Sequence, residues 1–287
     1  MMAQSAPAKV NLALDILRRR PDGYHDMHMV MQTVSLCDQV SVSEAAGGFA
    51  LRAEGITLPE GKKTLEQQAV EAFFHALGRP APGLSVDLWK QIPAFAGLGG
   101  GSSDVAALLR LLRARYAPEM PSLELERIGL QVGCDVPFCV RGGTALVMGR
   151  GEVLADLPPL PDCRFLLCKP DFDLPTPKMF ARVTPGAWPE TPDIDGMVSA
   201  LAAGDLPGIA RRMSNVFKFV LPTPARVEIE DIKAVMLRFG ALGAVMSGSG
   251  SAVVGLFRPD ASLQRPYDIL KRRYRQVFTA QPTPRLE

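Results

Sequence analysis

The sequence predicts an α+β fold, and three observations carry that prediction. Stretches of alternating apolar and polar residues, clearest at 84–90, have the period of strands, while 65–77 has the spacing of an amphipathic helix. Strands and helices then mix along the chain without the strict alternation of a doubly wound parallel sheet. A proline cluster, Leu157-Pro-Pro-Leu-Pro-Asp162, separates two stretches that each contain both kinds of element. The expected organisation is therefore two α+β lobes, residues 1–157 and 158–287.

Taken in order, residues 10–17 alternate imperfectly and read as a strand. Pro21-Asp22-Gly23 is a turn, since Pro presets φ and Gly admits the left-handed region. Strands are expected at 29–36 and 39–43, broken at Cys37-Asp38, and Gly47-Gly48 reads as a hairpin turn into a strand at 49–53. The helix at 65–77 is stopped by Gly78 and Pro80, and the strand at 84–90 leads into a glycine-rich loop. A helix follows to about Tyr116, and Ser122 is placed to cap another that ends near Gly133. Residues 142–148 and 164–168 read as strands, and 171–192 as a proline-rich loop. Helices at 197–203, 206–213 and 227–239, strands at 245 and 252–257, and a basic helix at 267–274 complete the chain.

Composition excludes several classes of function. A chain of 287 residues hides about three-quarters of its unfolded surface, so core size is not limiting. The 32 basic and 30 acidic residues leave a net charge of +2, which argues against a nucleic-acid or membrane surface. The five cysteines are odd in number and contain no Cys-x-x-Cys pair, which excludes a disulfide framework and a structural zinc site. The N-terminal residues lack the apolar core of a signal peptide, and the expected location is the cytoplasm.

The chemistry is concentrated in four places. Gly97-Leu-Gly-Gly-Gly-Ser-Ser-Asp104 leaves the backbone bare just before a helix, where unpaired N–H groups and the positive end of the macrodipole suit a phosphate. It lacks the lysine of a P-loop and the third glycine of the dinucleotide fingerprint, so by itself it reads equally as a flexible loop before a core helix. Pro7-Ala-Lys-Val-Asn11 starts a strand with a lysine, and Gly133-Cys-Asp-Val-Pro-Phe138 sets an acid just past a helix end. Ser247-Gly-Ser-Gly-Ser251 is a second backbone-rich loop. Phosphoryl transfer to an alcohol needs these parts: an amide cradle, a cation for developing charge and an acceptor for the hydroxyl proton.

Pro7-Ala-Lys-Val-Asn-Leu12, the 97–104 loop and the 247–251 loop, in this order, resemble the three motifs of the GHMP small-molecule kinases over nearly the whole chain. Arg20-Pro-Asp-Gly-Tyr-His25 and residues 133–138 narrow the resemblance to the branch that phosphorylates a cytidine-diphosphate-linked methylerythritol at its 2-hydroxyl, on the non-mevalonate route to isoprenoid precursors. The resemblance implies a two-lobed α+β fold with the active site in the inter-lobe cleft, ATP as donor and Mg2+ bridging its phosphates without an assigned protein ligand. It makes Asp135 the proton acceptor and places Lys9 beside it, with Asn11 at the reacting end of the substrate. Gly97, Leu98, Gly99, Gly100, Gly101, Ser102 and Ser103 would wrap the ATP phosphates, while Lys90 and Leu65 would line the adenine pocket. Tyr24 and Phe180 would sandwich the cytosine ring and His25 would read its polar edge, with Thr176, Ser247 and Gly248 completing the substrate side. The implied partner is the small-molecule cytidine diphosphate substrate, with no nucleic acid and no membrane, for a monomer or homodimer. A kinase of another small alcohol and a non-catalytic nucleotide-binding module are the two other readings.

Three positions depart from the family pattern. Phe95 occupies a normally small site and is expected to reshape the nucleotide entrance. Lys63-Thr-Leu65 replaces Asp-Asn-Leu, which removes an adenine contact at Thr64, and Lys218 stands where a glutamate is common.

Overall fold

The computed structural model describes residues 1–56, 61 and 63–286. Two long strands, β1 (Met2–Arg19) and β2 (His25–Glu44), pair antiparallel across the Pro21-Asp22-Gly23 turn, whose Gly23 N–H donates to the Arg20 carbonyl at 3.1 Å. They are followed by β3 (Phe49–Glu54), α1 (Leu65–Ala76), β4 (Leu84–Trp89), α2 (Gly100–Tyr116), α3 (Ser122–Val132), α4 (Val136–Arg141), β5 (Thr144–Gly149) and β6 (Val153–Asp156). The first sheet has the order β3-β4-β2-β1, extended by β5 and β6 alongside β2. Apolar residues of α1, α2 and α3, among them Phe73, Leu108, Leu112 and Leu125, cover one face of it.

The second half contributes β7 (Arg164–Lys169), α5 (Thr176–Phe180), α6 (Ile194–Ala202), α7 (Leu206–Arg211), β8 (Ser214–Asn215), α8 (Thr223–Arg238), β9 (Gly243–Met246), β10 (Val253–Phe257), α9 (Gln264–Lys271) and β11 (Gln276–Ala280). Its four-stranded antiparallel sheet runs β11-β7-β10-β9, while β8 crosses to pair parallel with β1 in the first sheet. Ile229, Ile232 and Met236 of α8 pack on one face. Met197 and Ile209 of α6 and α7 pack on the other, in a cluster that also holds Ala8, Val10 and Leu12 of β1. This second cluster is the apolar joint between the two sheets. No helix among the described residues is long and apolar enough to cross a membrane.

The imperfect alternation of β1 has a physical cause. The β1–β2 register shifts between Pro7 and Lys9 and again between Asn11 and Ala13. Each shift exchanges the two faces of the strand. Leu14 and Ile16 therefore face the helix layer, Val10 and Leu12 face the joint, and Lys9 and Asn11 share the side of the helices.

Several sequence-based expectations are corrected. Cys37-Asp38 does not break β2. Asp38 is fully buried there because its Oδ1 accepts the N–H groups of Gln91 at 2.5 Å and Ile92 at 2.8 Å while its other oxygen meets Lys90. Gly47-Gly48 turns the chain but makes no hairpin: β3 passes to the far side of β4 and pairs with it in parallel. Ser122 is the first residue of α3 rather than its cap, and its hydroxyl accepts from Arg113 at 3.0 Å. The short elements α4, α5, β6, β8 and β11 were not anticipated, since two to six residues show no resolvable period.

Asn215 lies in β8, whose backbone pairs with β1, and its side chain braces that strand against the second half. Its side-chain amide donates to the Met246 and Gly248 carbonyls at 2.7 and 2.8 Å, and its Oδ1 accepts the Phe217 N–H at 2.9 Å. Replacing Asn215 by Leu orphans three buried backbone groups, so we expect a loss of roughly 3–5 kcal/mol of stability. Urea unfolding measures it, and a loss within about 0.5 kcal/mol of zero, the surface-substitution range, would contradict this role.

Candidate active site

A cleft of about 1400 Å³ opens between the lobes. Its floor is the turned segment of β1. The Lys9 N–H donates to the Leu98 carbonyl at 2.9 Å, fixing the strand to the glycine loop. The Lys9 ammonium donates to Asn11 Oδ1 at 2.7 Å and lies 3.3 Å from Asp135 Oδ2. Lys9 is buried, whereas the Asp135 side chain is 35% exposed and open to the cleft. The pair is thus a fixed cation beside a reachable carboxylate.

Asp135 owes its position to the helices around it. α3 stops at Gly133, the chain turns through a Val136 N–H bond to the Gly133 carbonyl at 3.1 Å, and α4 starts directly after Asp135. From α2, the buried Arg110 donates to the Cys139 and Val140 carbonyls at 2.7 and 3.3 Å. Arg141 pairs in a two-bond fork with Glu126 of α3 at 2.9 and 2.8 Å. The carboxylate therefore sits on a braced corner, not on a free loop.

The glycine loop alternates buried and bare positions. Ala96 and Leu98 are buried in the joint between the sheets, while Gly97 and Gly99 have φ of 73° and 69°. A Cβ on Gly97 would stand 2.1 Å from the Ser247 carbonyl oxygen, and one on Gly99 would stand 2.7 Å from Lys9 Cγ. Only glycine lets the loop pass this close to both partners. Gly99 precedes α2 and has no capping side chain, so the amides of its first turn are left for a ligand. The first bond of the helical ladder here is Ser103 N–H to Gly99 O at 2.8 Å.

Gly97, Leu98, Gly99, Gly100, Gly101 and Ser102 all line the cleft. Ser103 does not: it is fully buried and its hydroxyl donates to the Pro7 carbonyl at 2.6 Å, pinning α2 to β1. Ser247, expected on the substrate side, is likewise absent from the cleft lining. Its buried hydroxyl donates to the Gly97 carbonyl at 2.9 Å and accepts the Asn11 N–H at 3.2 Å. Gly248 remains on the cleft wall, as does Thr176, whose hydroxyl pairs with that of Ser249 at 2.8 Å.

Leu65 stands at the start of α1 with Thr64 capping it, the Thr64 hydroxyl accepting the Gln67 N–H at 3.3 Å. Lys90 lines the same end of the cleft, but its ammonium is consumed by two buried carboxylates, Asp38 and Asp104. Burial alone would lower the Lys90 ammonium, yet Asp104 and Asp38 hold it above its ordinary value. Burial pushes the Asp104 carboxyl up to about 8 against the pull of Lys90, and Asp38 and Glu66 add to the rise. Among the described residues Asp104 Oδ1 has no hydrogen-bond partner, and a neutral carboxyl tolerates that at far lower cost than a carboxylate.

At the other end, Tyr24, His25 and Phe180 also line the cleft. Phe180 stacks on His25 with centroids 5.1 Å apart and 28° between planes, and meets Phe217 edge-on at 5.0 Å. Tyr24 is exposed, with the Arg150 guanidinium 5.1 Å from its ring centroid. Burial, with Arg19 adding, lowers the His25 pKa below its ordinary value. Lys218 pairs with Glu190 and lies 4.9 Å from the Phe219 ring centroid, outside the cleft lining. Ile56, Arg150, Ser249 and Asp104 on the wall, and Asp38 beneath it, are not among the residues expected from the sequence. Asp104 ends the glycine-loop motif and Ser249 lies within the 247–251 loop, whereas Ile56, Arg150 and Asp38 carry no local pattern.

Two outcomes follow from this geometry. Lys90→Met strands buried carboxylate charge and should cost roughly 3–5 kcal/mol in urea unfolding, and a neutral result would overturn the cluster's balance. His25 should protonate with a midpoint below about 6.5, the free-histidine value. A ring-proton NMR titration with a midpoint at or above that value would refute its burial.

Comparison with known proteins agrees with this geometry. The chain matches the GHMP kinases N terminal domain over residues 64–143 and the GHMP kinases C terminal domain over 197–276. A 4-diphosphocytidyl-2-C-methyl-D-erythritol kinase of Clostridium kluyveri is 36% identical over 96% of this chain and 98% of that protein. One from Pelotomaculum thermopropionicum is 42% identical over 88% of this chain and 87% of its own length. The crystal structure of a 4-(cytidine 5'-diphospho)-2C-methyl-D-erythritol kinase superposes with a TM-score of 0.80 at 32% identity, covering 98% of this chain and 99% of that one. A homoserine kinase from Cytophaga hutchinsonii, 18% identical with a TM-score of 0.74 over 99% of this chain and 95% of its own, shares the fold. Extended over both halves at such identity, these matches establish that the chain belongs to the GHMP kinases and, within them, to the 4-diphosphocytidyl-2-C-methyl-D-erythritol kinases.

Proposed function

We propose that this protein transfers the γ-phosphoryl group of ATP to the 2-hydroxyl of 4-diphosphocytidyl-2-C-methyl-D-erythritol, with Lys9 and Asp135 at the reacting end. The observation that carries the assignment of roles is the 3.3 Å Lys9–Asp135 contact beside the bare amides of the glycine loop. In this reading an Asp135 oxygen takes the hydroxyl proton as the alkoxide oxygen bonds to the γ-phosphorus. The bond from that phosphorus to the β–γ bridging oxygen breaks, and ADP leaves with the electron pair. Lys9, with a donor to spare, offsets charge on the equatorial oxygens, and the first-turn amides of α2 hold the remaining phosphates.

Magnesium fits this site as a nucleotide-borne ion. The donors lining the cleft beside the loop amides are the oxygen side chains of Ser102 and Asp135, and Mg2+ is held by oxygen ligands, several of them phosphate and water. Ser102 and Asp135 are the oxygen side chains that would face it, and when bound it neutralises charge on the phosphates. The same reading places the division between lobes at 157/158, and His25, Tyr24 and Phe180 at the cytidine. One chain supplies every residue invoked, and the substrate is a soluble metabolite, consistent with a cytoplasmic enzyme.

The test is ADP release with purified protein, ATP, Mg2+ and the candidate substrate, together with the Asp135→Asn variant. We expect the variant to lose about 10²–10⁴-fold in kcat with KM for both substrates little changed, the usual weight of a general base. An unchanged kcat would remove Asp135 from the role. Inhibition of the wild type by CDP separates a cytidine site from that of another alcohol kinase, and its absence would count against the substrate named here.

A further inference from the structure

Phe95 carries two structural costs at once. It is the one non-glycine residue with a positive φ, 52°, among the described residues. It is also 64% exposed, more than any other large hydrophobic residue there except Met1. A bulky side chain in the left-handed region is strained, and an exposed phenyl ring forgoes the burial that usually repays an aromatic. Neither cost arises from looseness. The Phe95 carbonyl accepts the Ser251 N–H at 3.3 Å and the Ala96 carbonyl accepts the Ala252 N–H at 3.0 Å, so this backbone is bonded to the second lobe. Ala96 is buried at 2% exposure directly beside it. The fold thus holds an aromatic ring on the wall of the cleft and leaves it uncovered.

Its place selects the occupant. Phe95 lies two residues before Gly97, where the bare loop begins, and it is carried on the side bonded to the second lobe. Leu65 and Ile92 approach the same loop from the first lobe, since Cβ atoms on Gly101 and Gly100 would stand 3.2 Å from Leu65 Cδ1 and 3.1 Å from Ile92 Cγ2. A polyphosphate gripped by these amides has its nucleoside emerging between two apolar walls. The acceptor end is already furnished with Tyr24, His25 and Phe180.

We propose that Phe95 is a nucleoside-binding residue, whose ring packs on the donor nucleotide and sets its affinity rather than the rate of the chemical step. This rests on the reading of the cleft as a nucleoside triphosphate site. Strain persisting at a residue that contributes no burial is accounted for by contact with a ligand.

The full-length Phe95→Gly and Phe95→Ala variants test it, by titration with fluorescent mant-ATP, by steady-state kinetics and by thermal unfolding. Both should weaken mant-ATP and raise the KM for ATP about tenfold, the weight of a single base–aromatic contact. The kcat and the KM of the acceptor should stay within about twofold of wild type. Phe95→Gly, which relieves the left-handed strain, should melt no lower than wild type, whereas a ring kept for structure would be missed. Unchanged mant-ATP affinity, a rise confined to the acceptor KM, or a fall in melting temperature with all kinetic constants moving together would each overturn the proposal. So would failure of the wild type to bind mant-ATP. If the wild type binds mant-ATP but turns over no acceptor, the kinase assignment fails, and the affinity comparison still decides the role of Phe95.

Discussion

The pair of register shifts that flank Lys9 and Asn11 in β1 is the constraint on which the site depends. A regular strand with Leu14 and Ile16 toward the helices would turn Lys9 and Asn11 into the joint between the sheets. The shift between Asn11 and Ala13 lets one strand serve two hydrophobic clusters and still send its polar pair to the helix side. The consequences propagate by contact. A lysine stem emerging there needs room, and Gly99 supplies it. The Lys9 N–H, freed from the regular ladder at the shift, bonds to Leu98 and carries the glycine loop with it. The Pro7 carbonyl on the other side of this shift accepts the Ser103 hydroxyl, so the start of α2 is registered against the same irregularity.

The two buried lysines of the cleft show why only one is suited to chemistry. An ammonium has three donors. Lys90 meets two carboxylates that are themselves buried, and the cluster approaches neutrality through the raised Asp104 carboxyl. Its field is cancelled where it sits, and its role is to hold β2, β4 and α2 together beneath the loop. Lys9 meets a neutral amide oxygen and one carboxylate at the longer distance of 3.3 Å, leaving a donor and most of its charge directed at the cleft. Asp135 is correspondingly exposed enough to exchange a proton with a substrate, which a carboxylate sealed like Asp38 is not.

Legibility in the sequence followed the length scale of the interaction. Long elements such as α1, α2 and α8 show in their periodicity, and the glycine loop shows in composition. The register shifts of β1 were visible only as imperfect alternation, because a bulge is defined by its partner strand. Asp38 was misread as a break for the same reason: its partners are the amides of Gln91 and Ile92, more than fifty positions away. The motif resemblance brought Lys9, Asn11, Asp135 and the loop to one place, and the coordinates bring them together as well. It could not distinguish residues that face the ligand from residues that support them. Ser103 and Ser247 lie within the motifs, yet their hydroxyls are spent on the backbone. Local sequence does not encode which way a small hydroxyl turns when a carbonyl stands within reach.

The bonding across the cleft is unequal between its two ends. At the glycine loop the lobes are joined by the Ser251–Phe95 and Ala252–Ala96 backbone bonds and by the Ser247 hydroxyl on Gly97, all backed by a buried apolar joint. At α5 the stack of Phe180 on His25 reaches the first lobe, while the Thr176–Ser249 hydroxyl pair and the edge contact of Phe180 with Phe217 stay within the second. Neutral hydrogen bonds are worth about 1 kcal/mol net and an aromatic pair about as much. Parting the lobes at the loop would also expose the joint, whereas parting them at α5 gives up one aromatic stack. The lobes are thus tied more firmly at the glycine loop, beside the Lys9–Asp135 pair, than at α5.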